Sequence, residues 1–244
     1  MRLELNFFAP NGVMPVDYRP YFMSYIKSAL SKNFKPIFDQ VYDKAEPKSK
    51  SFTFAVVFKN SKIVNDVIRF DDCKFKLLIT SFDHSLILYL YNSFVKGRNT
   101  QKRFNDDFEI QLKRLFLAPH PIIKQNQIRI KFLSPLLVRV HDAQDNQDRY
   151  LTYMDEGFNA QLNQITQRML QDNKIDCPNP TIDLRPYQAK TTVVKNMGMA
   201  FCANIGEYIL SGDTDILNIL LKGGMGSRRG QGFGMFYVVK QSVA

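Results

Sequence analysis

Hydrophobic and polar residues alternate at the start of the chain, which predicts a strand over Arg2–Phe8. Prolines interrupt this pattern, and apolar residues at helical spacing up to Leu30 then predict a helix with Asp17 as its N-cap. The later patterns predict two strands, a helix capped by Asp83 or Ser85 and closed near Gly97, and a final strand, over 51–59, 75–81, 86–94 and 107–117. The first half therefore has the order βαββαβ.

The second half repeats this order of elements without repeating the sequence. Its predicted elements are strands on both sides of Ser134-Pro135, a helix, a long hairpin, a short helix and a last strand, over 127–141, 155–170, 181–195 with 199–210, 214–221 and 233–239. Two βαββαβ units in tandem predict an α+β fold of two ferredoxin-like domains, the RNA-recognition-type arrangement. Pro119 and Pro121 favour a boundary there, giving an N-terminal domain over 1–120 and a C-terminal domain over 121–244.

The charge balance of the chain indicates which class of partner it binds. The 244 residues carry 33 Lys and Arg against 23 Asp and Glu, a net charge of +10, while hydrophobic residues make up 45%. A foldable chain with this basic excess favours a polyanion, with nucleic acid ahead of an anionic membrane. No apolar run is long enough for a membrane span and no signal peptide is recognisable, so we expect a cytoplasmic protein without a membrane partner.

Cysteine and histidine usage argues against a metal or cofactor. Three cysteines lie far apart without a CxxC pair, and His84, His120 and His141 have no metal-ligand spacing. Each histidine is more simply read as an ordinary surface or core residue. We therefore expect no metal site and no cofactor.

The most distinctive segment is the glycine-rich loop, residues 223–234, which reads GGMGSRRGQGFG and holds six glycines. Glycine permits positive φ and close backbone approach, so such a run can fold its N–H groups around an anion. Arg228 and Arg229 add guanidinium donors that suit phosphate. The loop lacks GK[ST] and lies between a helix and a strand, so it is neither a Walker loop nor a dinucleotide fingerprint. A flexible turn with incidental arginines is the simpler alternative.

The loop and the helix before it resemble the C-terminal signature of the CRISPR repeat endoribonucleases, the sixth family of Cas proteins within the RAMP superfamily. The opening segment MRLELNF and the FLSPLLVR stretch at 132–139 resemble that family's first strand and central "SP" strand. The helix near 158–170 stands where the family has its second-domain helix. The resemblance covers most of the chain in the correct order, and it implies two tandem ferredoxin-like domains.

The resemblance also implies a reaction, metal-independent cleavage of CRISPR repeat RNA in precursor crRNA. The ribose 2′-hydroxyl attacks the adjacent phosphate and leaves a 2′,3′-cyclic phosphate, or 3′-phosphate, and a 5′-hydroxyl. One group must accept the 2′ proton, others must stabilise the phosphorane, and another must protonate the 5′ oxygen. The implied partner is CRISPR repeat RNA; other Cas proteins of an interference complex and a second copy of the chain are further candidates.

The resemblance places the catalytic residues opposite the glycine-rich loop, although the family's usual histidine is missing. No histidine precedes His84, and ungapped alignment puts Tyr42 near that position. Lys27 in the first helix matches a position often occupied by Tyr or Lys in relatives. The implied catalytic set is Lys27, Tyr42 and Lys48, with Lys44 or Lys50 as alternatives to Lys48. Solvent-exposed lysines and a tyrosine at the edge of the core are the simpler reading.

Basic residues of the second half, together with the loop, are the candidates for contacts to the RNA backbone. Arg129 and Lys131 alternate on one strand and so share a face. The complete RNA-binding set consists of Lys44, Lys50, Arg129, Lys131, Arg139, Arg185, Lys190, Gly224, Gly226, Ser227, Arg228, Arg229 and Gln231.

Two other functions compete with the endoribonuclease. The missing histidine keeps open a catalytically inactive family member that retains crRNA as a structural subunit of an interference complex. The third reading is a general RNA-recognition protein, against which the absence of an RNP-type K/R-G-F/Y-G/A-F-V stretch argues.

Overall fold

The computed structural model describes residues 1–43, 45, 48–105, 108–142 and 147–241. The elements of the first half are β1 (Arg2–Phe8), β2 (Val13–Pro15), α1 (Arg19–Asn33), α2 (Lys35–Val41), β3 (Phe52–Phe58), β4 (Ser61–Val64), β5 (Val67–Phe70), β6 (Lys74–Ser81), α3 (His84–Lys96), β7 (Gln101–Arg103) and β8 (Glu109–Ala118). Strands β3, β6, β1, β8 and β7, in this spatial order, form an antiparallel sheet. Strands β2, β5 and β4 form a small separate sheet.

The elements of the second half are β9 (Gln127–Phe132), β10 (Val138–Asp142), β11 (Gln147–Leu151), α4 (Phe158–Asp172), β12 (Ile182–Asn196), β13 (Met199–Gly212), α5 (Thr214–Gly223), a short 3-10 helix (Arg229–Gln231) and β14 (Phe236–Lys240). Strands β12, β13, β9 and β14 form its antiparallel sheet in that order. Strands β10 and β11 form a separate hairpin.

Both main sheets have the strand order of a ferredoxin-like fold. Numbering only the four principal strands of each unit, the order is 2-3-1-4 in both halves. The predicted α+β architecture of tandem ferredoxin-like units is thereby confirmed. One buried cluster extends from Leu3 to Leu112 and a second from Ile123 to Phe236. We propose residue 120 as the boundary, which gives domains over 1–120 and 121–244.

The N-termini of two helices show which of the predicted caps form. Asp83 caps α3 by accepting the N–H of Leu86 at 3.2 Å, and Gly97 closes that helix, as predicted. The predicted cap at Asp17 is wrong: Tyr18 precedes α1 without a side-chain cap, and Pro20 occupies the first turn. The Asp17 carboxylate instead accepts the backbone N–H groups of Met197 and Gly198, at the turn between β12 and β13. Asp17 therefore binds backbone that is distant in sequence instead of capping α1.

The glycine-rich loop is packed between the two halves. Its chain closes on itself where Met225 N–H donates to Gly234 O at 2.9 Å. Toward the first half, Thr53 Oγ1 donates to Phe233 O at 2.7 Å, and Arg19 Nε donates to Gly232 O at 3.2 Å. A Cβ added at Gly232 would lie 2.5 Å from the Phe54 ring, so a larger residue has no room there. Glycine is required at this position by both the positive φ and the close approach of strand β3.

Alanine substitutions at Gly234 and Gly198 distinguish the cost of a positive φ from the cost of a steric clash. Both glycines have positive φ, but a Cβ at Gly198 meets nothing within 4 Å, whereas one at Gly234 would overlap the Met225 carbonyl oxygen. We expect Gly198→Ala to lower the free energy of unfolding by about 1 kcal/mol. Gly234→Ala should cost at least about 2 kcal/mol more, because the loop must move. Urea unfolding measures both; equal losses would contradict tight packing of the loop.

Candidate active site

Two of the predicted catalytic residues come together with Lys50 around one aromatic ring. Lys27 projects from α1, Tyr42 follows the last residue of α2, and Lys50 lies just before β3. The Lys27 Nζ lies 5.0 Å and the Lys50 Nζ 5.3 Å from the centre of the Tyr42 ring. Lys50 also donates to Val41 O at 2.6 Å. The Tyr42 ring therefore contacts both ammonium groups by cation–π attraction.

Contacts from both halves fix this cluster. Tyr42 N–H donates to Phe38 O at 2.9 Å, which ends α2 with the ring in place. Beside Lys50, Ser49 N–H donates to the Asp172 carboxylate at 2.8 Å, and Asn173 Nδ2 donates to Ser49 O at 3.0 Å. Because Asp172 and Asn173 lie at the end of α4, the second half holds the segment that carries Lys50.

Burial and charge shift two pKa values in the cluster. Burial, and then the ammonium of Lys27, lower the pKa of Lys50, while Asp43 opposes the shift. Burial raises the pKa of Tyr42 well above its ordinary value. Tyr42 therefore stays protonated at neutral pH and can donate a hydrogen bond, whereas Lys50 is the easier of the two to deprotonate.

The other lysines predicted for this segment take different places. Lys48 is exposed, and Lys44 lies outside the described residues. Lys50 is half-buried and packs against the glycine-rich loop: a Cβ added at Gly230 would lie 2.8 Å from Lys50 Cγ. Lys50 thus joins Tyr42 to the loop.

A second group of predicted residues surrounds the Asp148 carboxylate. Arg139 and Arg228 donate to it at 3.2 and 3.3 Å, and His141 Nδ1 lies 2.9 Å from it. Arg228 also donates to Tyr150 Oη at 2.7 Å. Burial would raise the pKa of Asp148, but the hydrogen bond with His141 and the charges of the two arginines outweigh it and lower that pKa.

Two more loop residues border this group. The Ser227 hydroxyl accepts the N–H of Arg139 at 3.3 Å. Gln231 Oε1 accepts from Asn196 at 2.8 Å and from Arg228 at 3.5 Å. A phosphate in this region would compete with Asp148 for the arginines.

The rest of the loop faces the protein interior. Arg229 is 5% exposed and donates to Gly223 O at 3.1 Å and to Met169 Sδ at 2.7 Å. Gly224 and Gly226 are buried. The N–H groups of residues 224, 225, 227, 231, 232 and 234 donate to backbone carbonyl oxygens. These six N–H groups are therefore already paired within the protein and are not available to an anion.

The third group of predicted residues lies on the outer face of the second sheet. Arg129 and Lys131 flank the Glu207 carboxylate at 3.7 and 3.5 Å, and the Arg129 guanidinium lies 5.0 Å from the Tyr187 ring centre. Arg185 pairs with Asp183 at 2.6 Å, and Lys190 is exposed farther along β12. These basic side chains line an open sheet surface, away from the interior of the domain.

Over the part of the chain that the structure describes, no group of three or more His, Cys, Asp or Glu side chains could hold a metal ion. A search of the described helices for a span long and apolar enough to cross a membrane found none.

Comparison with known proteins identifies the family. Residues 118–238 match the family model described as CRISPR associated protein Cas6, C-terminal. Residues 118–238, about half of the chain, therefore belong to the Cas6 family. A sequence search of curated proteins found no match.

Solved structures agree over nearly the whole chain. An RAMP protein described as binding different RNA substrates and a Cas6-related protein from Pyrococcus furiosus each have a TM-score of 0.86 and 18% identity, over 98% and 99% of this chain and 100% and 99% of theirs. A product complex of Cas6 from Thermus thermophilus has a TM-score of 0.73 and 14% identity, over 98% of this chain and 99% of that one. At these identities the likeness establishes the fold.

One basic surface of this chain was not predicted from the sequence. A cavity of about 640 Å³ opens on the outer face of the first sheet. Its wall includes the side chains of Phe8, Phe116 and five cationic residues, which are Lys59, Lys74, Lys76, Lys113 and Arg114. The Lys113 Nζ lies 5.6 Å from the Phe8 ring centre. The alternation of lysines in β6 was the available signal, but only the sheet order brings them beside β8.

Charge substitutions around Lys50 should shift its pKa in opposite directions. Lys27→Gln removes the like charge and should raise the pKa of Lys50, whereas Asp43→Asn removes the opposing carboxylate and should lower it further. NMR titration of lysine Nζ resonances measures both shifts, with Lys32→Gln, at the end of α1, as the control. A Lys50 pKa at or above the ordinary value of about 10.4 in the unmodified protein would contradict the burial of this amine.

Proposed function

We propose that this Cas6-family chain cleaves CRISPR repeat RNA in precursor crRNA, without a metal, by attack of a ribose 2′-hydroxyl on the neighbouring phosphate. Family membership supports CRISPR RNA processing. The observation that carries the catalytic proposal is the pair of ammonium groups on the Tyr42 ring, beside the glycine-rich loop. RNA binding is supported by the basic surfaces and by the description of the similar RAMP protein.

The reaction assigns one task to each residue of the cluster. Neutral Lys50 accepts the 2′ proton as the 2′ oxygen forms its bond to phosphorus. Lys27, as a cation, stabilises the phosphorane and gives a proton to the 5′ oxygen as the bond from phosphorus to that oxygen breaks. The products are a 2′,3′-cyclic phosphate and a 5′-hydroxyl. The Tyr42 hydroxyl donates to a non-bridging oxygen, and Lys48, at the exposed edge, contacts the backbone of the RNA.

The lowered pKa of Lys50 is what makes this assignment chemically reasonable. An ordinary lysine, with a pKa of about 10.4, is almost entirely protonated at pH 7 and cannot serve as a base. Burial and the neighbouring Lys27 increase the neutral fraction of Lys50. The rate should therefore rise with pH up to the pKa of Lys50 and level off above it. A histidine, whose pKa is near neutral, would accept the 2′ proton at lower pH than a lysine. We therefore expect slow cleavage at neutral pH.

The remaining predicted residues supply binding in this proposal. Arg139 and Arg228, freed from Asp148, and the outer-face residues Arg129, Lys131, Arg185 and Lys190 contact phosphates. The Ser227 hydroxyl holds the backbone of Arg139, and the Gln231 side chain holds that of Asn196. Gly224, Gly226 and Arg229 contribute by shaping the loop, because their positions are interior.

An inactive crRNA-retaining subunit is the second candidate. The observation that favours it is the absence of histidine from the first 83 residues, which contain Lys27, Tyr42 and Lys50. Both candidates bind the same RNA, so only cleavage distinguishes them.

Single-turnover cleavage of labelled repeat RNA in EDTA tests the proposal. Lys50→Ala should slow cleavage by about 100-fold or more, because the proton acceptor is lost. Lys50→Arg keeps the positive charge but cannot deprotonate, so it should bind RNA normally and be as slow as Lys50→Ala. Lys32→Ala, an exposed lysine of the same helix as Lys27, is the matched control and should cleave normally.

Three results would change this assignment. Normal rates in both Lys50 variants would remove Lys50 from the mechanism. Activity that EDTA abolishes and Mg²⁺ restores would contradict the metal-independent reaction. Tight binding of repeat RNA by the unmodified protein with no cyclic-phosphate product would favour the inactive subunit.

A further inference from the structure

A small cavity between the two halves has no role in the chemistry described above. Its volume is about 210 Å³, and β6, β14 and the segment around residue 120 contribute to its wall. Arg2, His120 and Tyr237 are each partly exposed at this wall, whereas Thr80 is buried with 2% exposure. The remaining wall is mainly apolar.

Two polar atoms at this wall lack partners. Among the described residues, His120 Nε2 and Thr80 Oγ1 are buried atoms without a hydrogen-bond partner in the protein. Buried polar groups are nearly always paired, since an unpaired one costs about 1–3 kcal/mol. Two unpaired atoms at one cavity therefore point to a polar ligand that pairs with both.

The state of His120 defines what that ligand must offer. Burial lowers the pKa of His120 to about 4, helped by the positive amino terminus, Arg2 and Lys222, so the imidazole is neutral at pH 7. Because the ring is neutral, one of its two nitrogens donates a hydrogen bond and the other accepts one. The ligand must therefore offer a polar group to Nε2, either an N–H or O–H donor or a lone pair.

Size and polarity narrow the ligand class. The cavity is larger than the ~30 Å³ share of one water and smaller than the ~300 Å³ of the smallest drug-sized pockets. Its walls include Leu133, Met235 and Val238, which suit a flat uncharged ring. The Arg2 guanidinium at this wall is engaged by Glu4 at 2.5 and 3.0 Å, so it is less available to an anion. These features favour a nucleobase.

We propose that this cavity between the domains binds a single unpaired nucleobase of the RNA, which forms hydrogen bonds with His120 Nε2 and with the Thr80 hydroxyl. The proposal rests on the proposed function for the presence of RNA, and it adds a specificity site made of residues other than those of the Lys50 cluster. Adenine, cytosine and guanine offer an amino group, and uracil offers its N3–H.

Near-isosteric variants test this pocket. Thr80→Val removes only the hydroxyl, and His120→Asn keeps an N–H near the Nδ1 position while removing Nε2. Each should weaken binding of labelled repeat RNA by roughly 3- to 10-fold, the value of one hydrogen bond. His120→Gln, which can return a polar atom near Nε2, should restore part of the affinity. Thr181→Val, at an exposed threonine, is the matched control and should bind normally.

Stability and direct titration separate a binding role from a structural one. Thr80→Val should leave the melting temperature unchanged or raise it, because it removes an unpaired buried hydroxyl. Adenosine, cytidine, guanosine and uridine, added singly, should shift the His120 ring resonances, whereas inorganic phosphate should not. Unchanged RNA affinity in both variants, or a lowered melting temperature with no loss of affinity, would show a cavity occupied by water only and overturn the proposal.

The outcomes also distinguish this proposal from the catalytic one. Normal cleavage together with unaltered affinity in the Thr80 and His120 variants would overturn the pocket alone. Failure of the unmodified protein to cleave repeat RNA would overturn the catalytic proposal, and a nucleoside-dependent shift at His120 would still support the pocket.

Discussion

Close packing of the glycine-rich loop between the two halves is the constraint on which the site depends. The loop meets β3 at Thr53 and Phe54 with almost no space for a side chain. It lies against Lys50 at Gly230, and Asp172 and Asn173 of α4 hold the segment before Lys50 from the second half. The candidate catalytic cluster is therefore built from residues of the first half but is positioned by the second half.

The electrostatics of the cluster follow from this packing. An ammonium group in water stays protonated at neutral pH because its pKa is far above 7, and solvent and salt screen its charge. The partial burial of Lys50 and the neighbouring charge of Lys27 both lower the Lys50 pKa. The arrangement gives a chain without a histidine in this region a group that can exchange a proton. Charge and packing are thus parts of one feature.

Much of the fold was predictable because it depends on local periodicity. Alternation identified the principal strands of both units, and the cap at Asp83 was readable from a few residues. The small sheet of β2, β4 and β5 and the helix α2 were missed, because strands of three or four residues and a helix without a buried residue leave a weak pattern. Asp17 was misassigned because its partners, Met197 and Gly198, are 180 residues away in sequence.

The site was less predictable than the fold, for a physical reason. The family resemblance pointed to Lys27 and Tyr42, but which lysine of the next segment meets the ring depends on how α4 holds Ser49. The glycines of the loop were expected to surround an anion with N–H groups, yet six of the loop's N–H groups donate to carbonyl oxygens of the protein. Sequence shows that a backbone can approach closely; only tertiary structure shows what it approaches.

If the loop positions Lys50 for catalysis, Gly230 and Lys50 are energetically coupled, and a double-mutant cycle between them measures that coupling. Single-turnover cleavage is measured for the unmodified protein, Gly230→Ala, Lys50→Ala and the double variant. Gly230→Ala adds a Cβ at the Lys50 stem, so it should slow the unmodified protein by about 10-fold or more through misplacement of the amine. In the Lys50→Ala background the same change should have little effect, because no amine remains to be displaced. Equal slowing by Gly230→Ala in both backgrounds would contradict the account.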